Sequence, residues 1–126
     1  MKCFGALILS VCWLLIGCGQ KTNELEVCDG RKIYFFYQTS CSHCHDAAKY
    51  IKNKYPLLEI EALDVRQKDN FNLLQKAAKK YQISERIGTP LICFGNEYIM
   101  GWSEKNKRLF DVFVQPFLAE KIEKQN

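Results

Sequence analysis

Two periods of apolar and polar positions run along this chain, one near two residues and one near 3.6. Lys32-Ile33-Tyr34-Phe35-Phe36-Tyr37 is a β-branched and aromatic run, the composition of a buried strand. Asp29-Gly30 ahead of it is a turn signal. Thr39-Ser40 offers capping hydroxyls, and Ala47, Ala48, Ile51 and Tyr55 then recur at helical spacing, predicting a helix from about His43 to Lys54 that Pro56 closes. Leu58 to Val65 alternates loosely and predicts a second strand. Asp69 or Asn70 can cap a second helix, with Phe71, Leu74, Ala77, Ala78 and Tyr81 as its apolar stripe. Leu91-Ile92-Cys93-Phe94 is a short strand, Gly95-Asn96 a turn, and Tyr98-Ile99-Met100 a partner strand. Ser103 opens a last helix carrying Leu109, Phe110, Phe113, Phe117 and Leu118, which Pro116 should kink or divide.

The predicted order is β-α-β-α-β-β-α. An early βαβ unit needs a parallel strand pair and the later hairpin an antiparallel one. One mixed α/β sheet covered by helices satisfies both, and there are no repeats and no low-complexity stretch. Tyr34, Phe36 and Phe94 read as core, and Trp102 as packing at the sheet edge.

The first residues follow neither period. Met1-Lys2 is a short positive start, and residues 3–17 are apolar or small with Ser10 the only hydroxyl. That run is shorter than the roughly 18–20 residues a spanning helix needs and fits the apolar region of a secretory signal. It ends in Leu15-Ile16-Gly17-Cys18, which resembles the lipobox of bacterial lipoproteins. The resemblance implies cleavage before Cys18, lipidation of Cys18, and a membrane-anchored chain facing an extracytoplasmic, oxidising space. In a Gram-negative host that space is the periplasm, and Gly19 after the lipid-bearing cysteine resembles a signal for the outer membrane. The expected organisation is a signal segment over residues 1–17, a lipidated and polar tether over 18–30, and one domain over 31–126. The chain's 126 residues suit one domain.

Charge changes the picture little. The net charge is +4, with 25% charged residues. Pairs such as Lys79-Lys80 and Lys107-Arg108 sit among apolar residues at helical spacing, as solvated helix faces do, and predict no nucleic-acid groove.

The candidate chemistry lies at Cys41-Ser42-His43-Cys44, after a predicted strand and at the start of a predicted helix. Disulfide exchange needs a thiolate nucleophile and a second thiol near enough to resolve the mixed disulfide. The helix N-terminus favours the Cys41 thiolate. Ser42 and His43 tune the pair, and a protonated His43 adds to the effect. Cys41 is then the nucleophile and Cys44 the more buried resolving thiol. Gly88-Thr89-Pro90 stands before the third strand. With these two motifs in that order, residues 31–118 resemble the thioredoxin superfamily. Thr89-Pro90-Leu91-Ile92-Cys93-Phe94-Gly95 with Ile99-Met100-Gly101 is most similar to glutaredoxins, and Cys-x-His-Cys to periplasmic Dsb-type oxidants. The resemblance implies a thioredoxin-like fold, a redox-active Cys41–Cys44 disulfide, a cis Pro90 beside it, and Thr89 and Pro90 as the substrate-binding backbone. It implies protein thiol or disulfide substrates, a redox partner protein, and no cofactor or metal.

Two departures qualify the resemblance. Thioredoxins carry a buried Asp six residues before the nucleophile, where this chain has Phe35. Glutaredoxins hold glutathione with Gly-Gly and acidic residues, where this chain has Met100-Gly101-Trp102-Ser103-Glu104, which counts against glutathione as a partner. Two rival readings use the same residues. Cys41-Ser42-His43-Cys44-His45 is also the attachment pattern of a c-type haem, with Met100 as a conceivable second axial ligand. Cys41, His43, Cys44 and His45 could hold Cu(I) or Zn(II). A non-catalytic adaptor of the same fold is a third alternative. His45 is otherwise a solvent-facing first-turn residue, Cys93 a buried small hydrophobe, and Cys28–Cys93 a second pairing to test.

Overall fold

The structure, a computed structural model, describes residues 26–124. The signal segment and Cys18 lie outside them. The order is β1 (Ile33–Tyr37), α1 (Ser42–Lys54), β2 (Ile60–Asp64), α2 (Lys68–Lys80), β3 (Leu91–Cys93), β4 (Tyr98–Met100), α3 (Glu104–Phe113) and α4 (Gln115–Lys124). No described helix is long and apolar enough to cross a membrane.

The four strands form one sheet in the order β2-β1-β3-β4. β1 pairs parallel with β2, Ile33 opposite Ile60, and antiparallel with β3, Tyr34 opposite Cys93 and Phe36 opposite Leu91. β3 and β4 pair antiparallel. The central strands β1 and β3 are apolar throughout because both of their faces are covered. Edge strand β2 is ragged, with Glu61 and Ala62 exposed, which explains the weak alternation there.

Strand alternation sends successive side chains to opposite faces. Ile33, Phe35, Ile92 and Ile99 pack against Cys44, Ala47 and Ile51 of α1 and Phe110 of α3. Tyr34, Phe36, Leu91 and Cys93 pack on the other face against Leu74 and Ala77 of α2. Phe110, fully buried, packs edge-on against Phe94 and Trp102 and at a tilt against Tyr55.

Several local expectations change. Pro116 divides the last helix as expected: Val114 ends α3, and the proline falls in the first turn of α4, where a missing N–H costs nothing. Ser103 caps α3, accepting from the Asn106 amide at 3.1 Å. Neither Asp69 nor Asn70 caps α2. The cap position is Gln67, Asp69 lies in the first turn, and Asn70 instead donates to the Asp64 carbonyl at 3.0 Å. Phe71 leaves the predicted stripe and is 45% exposed. Ala48 is exposed too, leaving Cys44, Ala47 and Ile51 as the buried face of α1. The packed unit begins before Arg31, because Val27 and Cys28 are buried in the α2-side core.

Candidate functional site

Cys41 follows β1 through a tight turn, its amide donating to the Gln38 carbonyl at 3.2 Å. It is the N-cap of α1, in an extended backbone conformation, and its sulfur accepts from the Cys44 amide at 3.1 Å. The hydroxyls of Thr39 and Ser40 do not cap the helix. A sulfur at the N-cap meets one of the N–H groups that a helix start leaves without partners. The same geometry steadies negative charge on that sulfur.

Cys41 and Cys44 are joined as a disulfide, with Cα atoms 5.2 Å apart. Their surroundings differ sharply. Cys44 is 3% exposed and packs beside Phe35 and Ala47, whereas Cys41 is only half-buried. Solvent and partners therefore reach the Cys41 sulfur first.

The Thr89–Pro90 peptide is cis, and the Thr89 carbonyl oxygen lies 3.5 Å from the Cys41 sulfur. Pro90 is buried, and its carbonyl accepts from the Gly101 amide at 2.8 Å. Asn106 holds the carbonyls of Met100 and Gly101, each at 3.0 Å. The start of α3 and the end of β4 thus fix the loop that faces the disulfide. The two motifs, far apart in the chain, meet in space.

An apolar groove of about 350 Å³ runs along Phe35, Thr39, Cys44, His45 and Ile51, and two more lie on the Thr89 and His43 sides. One, about 440 Å³, is apolar and runs along Thr89 past Gln38, Val65, Phe71 and Ile87. The other, about 490 Å³, is polar and holds His43 and Trp102 with Asp46, Lys49 and Glu104. Trp102 is wedged against Tyr50 of α1 and Phe110 of α3, which extends its expected place at the sheet edge into a contact between helices. Ser42 and His43 are both exposed. His45 is exposed but engaged, a ring nitrogen lying 2.7 Å from the Thr39 carbonyl.

These positions weigh against the rival readings. Met100 packs with the α2-side core and its sulfur accepts from the Gly88 amide at 3.4 Å, while His45 is held at the Thr39 loop. The two proposed axial ligands therefore do not face one another. Cys41 and Cys44 are bonded together, and His43 and His45 border different grooves. Among the described residues no three His, Cys, Asp or Glu side chains gather as a metal ion requires.

Behind the site, Asp111 of α3 binds α1. Its carboxylate accepts from the Tyr55 hydroxyl at 2.6 Å and from Tyr50 at 2.8 Å, and pairs with Lys54 at 2.8 Å. Burial works against the Asp111 charge, but the hydrogen bonds from Lys54, Tyr55 and Tyr50 outweigh it and hold the carboxyl below its usual range. Burial, then the bond to Asp111, pushes the Tyr55 phenol up to about 12.

The sequence patterns named Cys41, Cys44, Thr89 and Pro90, placed Phe71 in the α2 stripe and not at the groove it lines with Thr89, and did not single out Asp111. Phe71 stands three residues from buried Leu74, so helical period alone counts it as core. Asp111 looks like any solvated helix residue.

No protein-family model matches the chain. A curated relative, the FMN-dependent NADH:quinone oxidoreductase 1 of Bradyrhizobium diazoefficiens, is 35% identical over 75 residues, 58% of this chain and 33% of that protein. The chain therefore spans about a third of the length of the curated relative it matches. Among solved structures, a buckwheat glutaredoxin in complex with glutathione superposes at a TM-score of 0.53 and 19% identity, over 75% of this chain and 82% of that one. The glutaredoxin of Archaeoglobus fulgidus superposes at 0.51 and 15% identity, over 74% of this chain and 96% of that one. The fold is thioredoxin-like. Phe35, six residues before Cys41, packs in the same buried cluster as Cys44.

Proposed function

We propose that this protein is a thiol–disulfide oxidoreductase acting on protein substrates outside the cytoplasm, held to a membrane by lipid on Cys18. The observation that carries the activity is the Cys41–Cys44 disulfide at the N-terminus of α1, facing the cis Thr89–Pro90 peptide. The anchor and compartment rest on the N-terminal sequence alone.

As a disulfide the pair accepts two electrons. A substrate thiolate attacks the half-buried Cys41 sulfur, the Cys41–Cys44 bond breaks, and Cys44 leaves as a thiolate that takes a proton. A second substrate thiol loses its proton and attacks the substrate sulfur of the mixed disulfide. Cys41 then leaves as a thiolate steadied by the Cys44 amide. The substrate dithiol becomes a disulfide and the pair becomes a dithiol. Run in reverse, the same steps reduce a substrate disulfide, with Cys41 attacking and Cys44 resolving. The Thr89 backbone and the apolar groove past Phe71 offer an extended substrate segment a place beside Cys41. His43 at the helix start favours a more oxidising pair, and the reduction potential decides the direction of flow. Glutathione is named for one structural neighbour. Met100-Gly101-Trp102-Ser103-Glu104 stands in place of the Gly-Gly and acidic residues with which glutaredoxins hold glutathione, which counts against glutathione here.

Turnover of a disulfide-bonded protein substrate tests the mechanism. Cys41→Ser should lose all turnover, and Cys44→Ser should accumulate mixed disulfides through Cys41. Normal turnover by Cys41→Ser would refute it. Incorporation of labelled fatty acid should vanish in Cys18→Ala, and unchanged labelling would remove the anchor from the proposal.

A further inference from the structure

Among the described residues, two cysteines take no part in the site above. Cys93 ends β3 opposite Tyr34, on the face that α2 covers. Cys28 comes from the strap that precedes β1. Both are fully buried, in one cluster with Val27, Tyr34 and Phe36. Both are free thiols. Each interacts with the other and with the Tyr81 side chain.

Their approach is held from several sides. Cys28 has a φ of +64°, a left-handed conformation uncommon for a residue with a side chain. Lys80 at the end of α2 donates to the Cys28 carbonyl. Tyr81 next to it donates to the Gly95 carbonyl at 2.6 Å. Gly30, at the far end of the strap, lies against Gly95 so closely that a Cβ on Gly95 would stand 2.9 Å from the Gly30 Cα. A cysteine that merely fills space needs no second cysteine beside it. Here the backbone around Cys28 is pinned so that its thiol is buried in the same cluster as that of Cys93.

We infer that Cys28 and Cys93 form a second redox pair, which closes to a disulfide and fastens the strap Val27–Gly30 onto the end of β3. The oxidant is an external disulfide. The Cys28 thiolate attacks one of its sulfurs and releases the first thiolate. Cys93 gives up its proton and attacks the Cys28 sulfur of the mixed disulfide, releasing the second. Two electrons and two protons leave the pair, and the oxidant becomes two thiols. The roles follow from the contact between the two thiols. The hydrogen bond from Cys93 lowers Cys28, while its bond to Cys28, and then burial, raise Cys93. With the strap closed neither sulfur meets solvent, so oxidation proceeds when the strap opens locally or before it first closes. Once bonded, the strap stays shut. The inference does not require Cys41–Cys44 to be active.

The test uses the full chain with Cys41→Ser and Cys44→Ser, reduced and then exposed to a disulfide. One arm supplies oxidised glutathione. The other supplies oxidised Cys28→Ala protein, whose Cys41–Cys44 disulfide is then the donor. Non-reducing peptide mapping should recover the Cys28 peptide joined to the Cys93 peptide, and the arm that achieves this identifies the source. The melting temperature should rise on oxidation, and Cys28→Ala should abolish the rise. Cys28→Ser is the second variant if the alanine form is poorly folded. Recovery of Cys28 and Cys93 as separate thiols, or as separate glutathione adducts, across the range that oxidises Cys41–Cys44 in the unmodified chain would overturn the inference.

Discussion

Gly95→Ala is the sharpest probe of how the strap is held. Gly95 has a φ of +97°, and a Cβ there would stand 2.9 Å from the Gly30 Cα and 3.4 Å from its amide nitrogen. The left-handed backbone alone costs an alanine about 1–2 kcal/mol. The new methyl meets backbone, which has no rotamer to swing away, so the strap must retreat by several tenths of an ångström. If that retreat frees Val27, now 6% exposed, burial worth about 1.5–3 kcal/mol is lost as well. The expected destabilisation is then about 2.5–5 kcal/mol, a large share of the roughly 5–15 kcal/mol that holds a domain together. Urea unfolding of the reduced protein measures it, and alkylation of Cys93 reports whether the strap has lifted. Gly88→Ala is the control, since nothing lies within 4 Å of its added Cβ; it should stay within about 0.5 kcal/mol of the parent. A Gly95→Ala loss below about 0.5 kcal/mol, with Cys93 still protected, would refute the reasoning.

Phe110→Ala should cost about 3–5 kcal/mol in urea unfolding, because the ring is fully buried among Tyr55, Phe94 and Trp102. The Asp111 carboxyl is held below its usual value in the fold. Its contribution is therefore present above the ordinary carboxylate pKa and is lost as pH falls through the lowered one; Asp111→Asn should flatten that acid limb of stability against pH. Tyr55 works at the other end. Its phenol, raised from 10.0 to about 12, keeps its proton in the fold after the unfolded chain has lost it, so stability should decline between about pH 10 and 12, and Tyr55→Phe should remove that decline. Phe71→Ala, at an exposed helix position, should leave stability within about 0.5 kcal/mol while raising KM for a protein substrate more than it lowers kcat. An unchanged KM would take Phe71 out of the substrate groove.

Much of the fold could be read from the chain because its central strands are buried on both sides. Such strands write themselves as continuous apolar runs, as Ile33–Phe36 and Leu91–Phe94 do. The two motifs were legible for a related reason: Cys-x-x-Cys and Thr-Pro are short, and their spacing implies geometry. What stayed hidden depends on contacts between distant residues. Val27 and Cys28 follow a polar stretch and belong to no periodic run, so they read as tether, and only Cys93, Lys80 and Gly95 show them to be packed. Thr39-Ser40 supplies better capping groups than cysteine by type, yet the turn from Gln38 puts Cys41 at the cap. Phe71 fits the helical stripe but lies in the first turn of α2, half exposed on the groove that Thr89 also lines. Asp111 gains its meaning from two tyrosines and a lysine on another helix.

The antiparallel register of β1 and β3 has a further consequence. Cys93 lies opposite Tyr34, near the start of β1, whereas Cys41 comes just after Tyr37 at its other end. Three residues of strand, about 10 Å, and the thickness of the sheet separate the two dithiols. Exchange needs sulfur to touch sulfur, so neither pair can discharge into the other within one molecule. The chain then behaves as two insulated electrochemical couples, and a redox titration should resolve into two independent two-electron waves, each with its own midpoint.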